Sequence, residues 1–251
     1  MALKNKVFQT ILRGDVMQYK QSIFEKKYRY KNETLDGFYK RVSGGDSVLE
    51  ELMRKDMFVF GGRILNSRGT AKDGIKSTYS NCYVPKAPRD TIEDIFDTAK
   101  YIARIYSYGG GCGLNLSYLR PKDSRVNNAA KASSGASSFA PLYDVTTKVI
   151  GQEGRRGALM LSLMCTHPDI IDFINMKSNV EVITSANISV MFTDAFLIAS
   201  KQKKMFDLTF TVEATGQVLT KTVCANSVMM DFAFNNHDNA EPKLGVSVVI
   251  H

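Results

Sequence analysis

Ile105-Tyr106-Ser107-Tyr108-Gly109-Gly110-Gly111-Cys112-Gly113-Leu114-Asn115-Leu116-Ser117-Tyr118-Leu119-Arg120-Pro121 is the stretch on which the fold of this chain turns. Four of the five positions 109 to 113 are glycine. Glycine loses the most backbone entropy on folding and adds no apolar surface, so such a cluster marks backbone that something approaches closely. Two readings stand. The N–H groups cradle a phosphate or sugar, or the glycines make a tight structural turn. The residues that follow alternate apolar and polar like a strand and stop at Pro121. A glycine turn leading into a strand reverses the order of the P-loop and dinucleotide fingerprints, where the strand comes first and a helix follows. Neither fingerprint is complete, because no Gly-Lys-Ser/Thr ends the loop and no third glycine has the required spacing.

The flanks extend this pattern. Asp90 to Tyr106 reads as a helix, with Ile92, Ile95, Phe96, Ala99 and Ile102 at helical spacing. Its acidic first turn suits the positive end of the helix dipole, and Asp90 reads locally as the N-cap. The small-residue loop Ala132–Phe139 leads into a helix from Ala140 to Ile150, with Leu142, Val145, Val149 and Ile150 on one side. Gly151-Gln152-Glu153-Gly154-Arg155-Arg156-Gly157 is either an anion-contacting turn or a solvated basic one, and it runs into an apolar strand, Ala158 to Cys165. A helix from Pro168 to Lys177, a strand from Ala186 to Phe192 and a helix from Thr193 to Lys203 follow. Phe206 to Val212 and Gln217 to Val223 read as a hairpin. Strands separated by helices predict an α/β domain with parallel pairing. Residues 1 to 57 read as a helical region in which Asp46 caps a helix from Ser47 to Lys55. The aromatics Phe24, Tyr28, Tyr30, Phe38 and Tyr39 there read as core between helices, with base stacking as the minor alternative. The predicted organisation is a helical region over 1–57 and an α/β domain over 58–251.

Composition narrows the function classes. A hydrophobic content of 44% supports a core, and 23% charged residues is ordinary for a globular chain. No apolar run approaches the roughly 20 residues needed to span a bilayer. Met1 to Lys20 has no apolar leader core, so the expected location is cytoplasmic. Four irregularly spaced cysteines form no CxxC pair and suit reduced thiols. Three histidines make a His-based metal site unexpected. The net charge of +8 favours anionic partners such as polyphosphate nucleotides. The basic residues are spread out, so nucleic acid is the minor reading.

Seven short motifs occur in order: Asn81-Cys82-Tyr83-Val84, Asp90-Thr91-Ile92, Gly109-Gly110-Gly111-x-Gly113, Leu119-Arg120-Pro121, Ser134-Gly135-x-x-Ser138-Phe139, Gly154-Arg155-Arg156-Gly157-Ala158 and His167-Pro168-Asp169-Ile170. Together, over roughly residues 58 to 242, they resemble the catalytic subunit of ribonucleotide reductase, most closely the adenosylcobalamin-dependent type. The resemblance implies a helical region followed by the first half of a ten-stranded α/β barrel. It implies radical reduction of a ribonucleoside di- or triphosphate, with a thiyl radical removing the 3′ hydrogen and a cysteine pair reducing the 2′ carbon. In that scheme Cys82 is the first cysteine of the reducing pair. Ser80, Asn81, Gly110 and Gly111 contact substrate. Asp90, Ile92, Arg125 and Lys177 serve a deoxynucleoside triphosphate effector. Asp90 to Ser107 would form a homodimer-interface helix, and Lys122–Lys131 and Lys177–Ser185 the two specificity loops. Cys112 reads as a small-residue replacement, Cys165 as inert core, and Cys224 as either core or reactive, with nothing nearby in sequence to lower its pKa.

Departures from the family pattern are equally specific. The radical cysteine's motif, Asn-x-Cys-x-Glu, does not occur in the sequence, and the second cysteine of the reducing pair is also missing. After Ala240-Glu241-Pro242, Lys243 stands where the family has glycine, and Leu244 to His251 loses the expected strand pattern. The resemblance therefore implies an incomplete chain, inactive alone, with a second chain as a possible complement. The alternatives are a non-catalytic nucleotide-binding or dimerising remnant and half of an iron-dependent large subunit.

Overall fold

The computed structural model describes residues 18–127, 129–150, 157–178 and 183–246. Two compact units divide between Asn81 and Cys82. In the first, a helical stretch ending in the π-turn Phe24–Tyr28 precedes α1 (Leu35–Ser43), α2 (Ser47–Arg54) and α3 (Gly62–Ser67). Thr34 caps α1 by accepting from the Gly37 N–H, and Gly44 ends it in the left-handed region at φ 72°. Asp46 caps α2, accepting from the N–H groups of Val48 and Leu49, as the sequence predicts. Phe24, Phe38, Tyr39, Val42, Met53 and Leu65 form the core, with Tyr28 and Phe60 packed against it. Phe60 and Leu65 thus belong with the first unit, past the residue-57 boundary read from sequence. Phe24, Phe38 and Tyr39 are core residues, whereas Tyr30 sends its hydroxyl to Asp73 at 2.8 Å.

The second unit contains β1 (Cys82–Tyr83), α4 (Ile92–Ser107), β2 (Gly111–Asn115), α5 (Ala140–Val149), β3 (Leu159–Met164), α6 (Ile170–Asn175), β4 (Ala186–Phe192) and α7 (Asp194–Lys201). Then come β5 (Met205–Thr211), β6 (Val218–Cys224), α8 (Ala225–Asn239) and β7 (Lys243–Val246). The sheet order is β1-β2-β3-β4-β7 with every pairing parallel, while β5 and β6 form a separate antiparallel hairpin. Sequential parallel strands joined through helices are the first turns of an α/β barrel. β7 pairs with β4 from Ser189↔Lys243 to Phe192↔Val246, so residues 243–246 extend the sheet although their pattern did not announce a strand.

Strand alternation sorts the two faces of this sheet. Leu159, Leu161 and Leu163 are buried beneath the helices, with Leu114, Ile188 and Val190 beside them in register. Their neighbours Gly113, Met160, Ser162 and Met191 are half-buried, and Cys82 and Asn187 are exposed. One face is therefore core, and the other presents small, polar and thioether groups. The covering helices are tied by side chains as well as by apolar contact. The Tyr143 hydroxyl donates to the Ile95 carbonyl (3.2 Å), and the Thr147 hydroxyl lies 2.8 Å from the Tyr143 carbonyl and 3.1 Å from the Tyr106 hydroxyl. On α5 the buried positions are Ala140, Tyr143, Asp144 and Thr147. Val145 and Val149, predicted to share the apolar side, are instead exposed.

Candidate functional site

The glycine cluster divides into two functions. Gly109 takes φ 86°, and its N–H donates to the Tyr106 carbonyl (2.8 Å) while the Gly110 N–H donates to that of Ile105 (3.0 Å). This pair of bonds is a Schellman cap that ends α4. A Cβ on Gly110 would lie 2.5 Å from Ile105 Cγ2 and 2.8 Å from the Tyr83 ring. The close neighbours that an added Cβ on Gly110 would meet are thus the chain's own residues. Gly111 and Gly113 are strand residues of β2. A Cβ on Gly113 would meet nothing within 4 Å, so the glycine leaves room on the open face. Gly111 stands in register with Cys82.

Cys82 begins the edge strand and is exposed, while Cys112 and Cys165 are buried. Burial pushes the Cys112 thiol up to about 11 and raises that of Cys165. Cys224 departs from the sequence reading: the backbone N–H of Ser227, and then its hydroxyl, lower its pKa from the N-terminus of α8. Ser80 and Asn81 close the first compact unit and are exposed, with the Ser80 N–H donating to Thr78 Oγ1 at 3.1 Å.

Asp90 is not the cap of α4. Thr91 fills that role, accepting from the Asp94 N–H at 3.1 Å. Asp90 instead accepts from Arg120 through both the backbone N–H (3.1 Å) and Nε (2.5 Å). Both side chains are largely buried, and Arg120 Nη1 also donates to the Arg125 carbonyl at 3.0 Å. Arg120 therefore joins two predicted effector residues, although the sequence reading gave it no role. Its only signal was its place in the Leu119-Arg120-Pro121 motif. The loop beyond folds back on itself through an Arg125–Ala132 bridge and a Val126 N–H bond to the Lys131 carbonyl (3.0 Å). The Arg125 residue is exposed, as is Ile92 at the start of α4. Lys177 lies elsewhere: its ammonium pairs with Glu241 at 2.9 Å, just ahead of β7 at the far edge of the sheet. Residues 151–156 and 179–182, which carry the Gly-Arg-Arg turn and the middle of the second expected loop, lie outside the described residues.

Asp169 is a second residue that sequence reasoning passed over. Its buried carboxylate accepts from the N–H groups of Lys122 (3.0 and 3.1 Å) and Ala136 (2.9 Å). His167 beside it is held neutral. Its Nε2–H donates to the Leu119 carbonyl (2.8 Å), and Nδ1 accepts from the Asp169 N–H (3.0 Å). Burial lowers its pKa despite the opposing pull of that carbonyl and of Asp169. Among the described residues, no group of three or more His, Cys, Asp or Glu side chains is placed to hold a metal ion.

A partial parallel α/β barrel with an edge-strand thiol on its open face and an Asp–Arg pair anchoring an adjacent loop defines a narrow class of proteins. Residues 80–242 match the family described as ribonucleotide reductase, barrel domain, and the chain belongs to that family. It is 43% identical over 161 residues to the vitamin B12-dependent ribonucleoside-diphosphate reductase of Thermoplasma acidophilum, covering 62% of this chain and 20% of the relative. It is 39% identical over 121 residues to the protein of the same name from Mycobacterium tuberculosis (strain CDC 1551 / Oshkosh), covering 47% and 18%. It is 34% identical over 105 residues to the ribonucleoside-diphosphate reductase subunit alpha of Helicobacter pylori (strain ATCC 700392 / 26695), covering 41% and 13%. The chain thus spans a fifth or less of the length of these relatives. Among solved structures, the Actinobacillus ureae class Id ribonucleotide reductase alpha subunit shares the fold with a TM-score of 0.68 at 16% identity, over 88% of this chain and 38% of that one.

Proposed function

We propose that this chain supplies the reducing edge and the effector-reading part of a ribonucleoside-diphosphate reductase barrel. The observation that carries the reading is the position of Cys82, an exposed thiol on the edge strand. The neighbouring Gly111 and Gly113 keep side chains off the adjoining surface of β2. In the reaction, Cys82 and a second thiol outside this chain give up two electrons and two protons. The ribose 2′ hydroxyl leaves as water, a C–H bond forms at C2′, and the two sulfurs join as a disulfide. The thiyl radical that opens the 3′ C–H bond comes from a segment this sequence does not contain. Ser80 and Asn81 would contact the substrate from the chain just before Cys82.

The Asp90–Arg120–Arg125 arrangement would receive a deoxynucleoside triphosphate, with Asp90 fixed by Arg120 and the exposed Arg125 turned to phosphate. Lys177, engaged by Glu241, would act on the effector only through the loop it begins. The relatives named for vitamin B12 favour adenosylcobalamin, which supplies the initiating radical when bound. No step assigned to this chain runs through that cofactor. A homodimer would form through α4, whose Ile92 and Phe96 are exposed one turn apart, and Val145 and Val149 of α5 are exposed as well.

Calorimetric titration with the four deoxynucleoside triphosphates tests the effector site. Saturable binding that weakens at least tenfold in Asp90→Ala is expected, and equal binding in the variant would overturn the assignment. Reduction of CDP with a dithiol, after supplementing the chain with the remaining barrel segment of the Thermoplasma relative, tests the chemistry. Product that vanishes in Cys82→Ser is expected. Undiminished product from that variant would remove Cys82 from the mechanism.

A further inference from the structure

The first compact unit contains a cavity of about 500 Å³ that the reductase reading does not use. Its walls are the Tyr30–Glu33 turn, one side of α1 and the short turn at Lys72 and Asp73. Two acids line it, and both are already engaged. Glu33 accepts from Arg41 through Nε (3.0 Å) and Nη2 (2.9 Å), and from the Tyr30 N–H (3.0 Å). Asp73 takes the Tyr30 hydroxyl (2.8 Å) and the Lys31 ammonium (2.9 Å). Lys40 and Lys72 also line the cavity, and among the described residues neither forms an ion pair with a carboxylate. Four cations against two anions leave two positive charges facing one hollow.

Gly37 adds an independent observation. It is the third residue of α1 and lies on the cavity wall. The fold does not require it, because a Cβ there would make only ordinary contacts, 3.5 Å to Glu33 Cβ and 3.6 Å to Thr34 Oγ1. The missing side chain keeps the hollow open.

We infer that this cavity binds a phosphate group of a small molecule, with Lys40 and Lys72 as the direct contacts. Lys31 and Arg41 supply field, Arg41 being committed to Glu33 and to the carbonyls of Arg68, Tyr28 and Leu65. A phosphate group carries about −1.5 to −2 charges at pH 7, which matches the two positive charges left over.

Calorimetric titration of the whole chain with sodium tripolyphosphate, at low and then moderate salt, is the test. One saturable site is expected, weakening with salt as a charge-driven contact must. Lys40→Gln/Lys72→Gln should weaken it at least tenfold. Gly37→Leu, which fills the hollow without altering charge, should do the same. Asp90→Ala should leave it unchanged, so that loss of the proposed effector site and loss of this one are distinguishable. No saturable heat, equal affinity in the lysine and glycine variants, or loss in Asp90→Ala alone would each overturn the assignment. The two lysines are exposed, so the double variant keeps the test decisive should Gly37→Leu fail to fold.

Discussion

Asp169 organises its surroundings with a single carboxylate. It holds the start of the Lys122–Lys131 loop and the turn at Ala136, and its own N–H fixes the His167 tautomer. Gly135 is the residue that this arrangement demands. Its φ is +92°, and a Cβ would fall 2.6 Å from Asp169 Oδ2 and 3.0 Å from the Lys122 backbone nitrogen. Gly135→Ala should therefore lose about 2 kcal/mol or more of stability in urea unfolding, well beyond an ordinary surface change. His167 makes the same region sensitive to acid. Its folded pKa lies below the ordinary value near 6.5. Below that value the unfolded chain takes up a proton that the native chain refuses, so this contribution is present above pH 6.5 and is lost as pH falls. Melting temperatures between pH 7.5 and 5.5 should fall more steeply for the natural chain than for His167→Gln. Parallel slopes would remove His167 as the cause.

At the scale of elements, buried polar groups decide how helices meet strands. The Asp144 carboxylate, on the buried side of α5, accepts from the N–H groups of Ser185 (2.8 Å) and Ala186 (2.7 Å) and pairs with Lys148 at 2.7 Å. It thereby fixes where β4 begins. Asp144→Ala leaves those donors buried without an acceptor and should lose about 2–4 kcal/mol, with Asp144→Asn losing less because one oxygen remains. Comparing denaturation midpoints of the two variants checks this order. Strand and helix placement also sets thiol reactivity. Iodoacetamide at pH 8 should label Cys82 and Cys224 in the native chain and spare Cys112 and Cys165 until denaturant is added. Peptide mass spectrometry reads the outcome, and early labelling of Cys112 would contradict its burial beneath α4.

For the whole molecule, the exposed Ile92, Phe96, Val145 and Val149 matter most, since α4 and α5 lie against each other on the covered side of the sheet. Exposed apolar residues on adjoining helices are where the proposed pairing through α4 is best tested. Phe96→Glu should shift sedimentation from dimer toward monomer without lowering the melting temperature of the second unit. An unchanged sedimentation coefficient would overturn pairing through this surface.

The sequence by itself determined the order of strands and helices through most of the second unit, because each element carries its own period: the alternation of Leu159–Met164, the helical spacing of Ile95, Ala99 and Ile102, the hairpin around Gly216. It also singled out Cys82, through motif order rather than local chemistry. Only the tertiary structure decided which glycines serve the fold and which leave an open surface, because Gly110 is explained by Ile105 and Tyr83, residues it meets only after α4 turns back along β2. The same holds for Asp90. Its partner Arg120 is 30 residues away, so a cap one position off and an ion pair look alike until the loop closes. Val145 and Val149 followed the apolar spacing of α5, yet the buried side is set by Asp144 and Thr147, whose hydrogen bonds to other elements outweigh the gain from burying two valines. Hydrophobic period is local and legible. Polar contacts between distant segments are made by the fold and are read only from it.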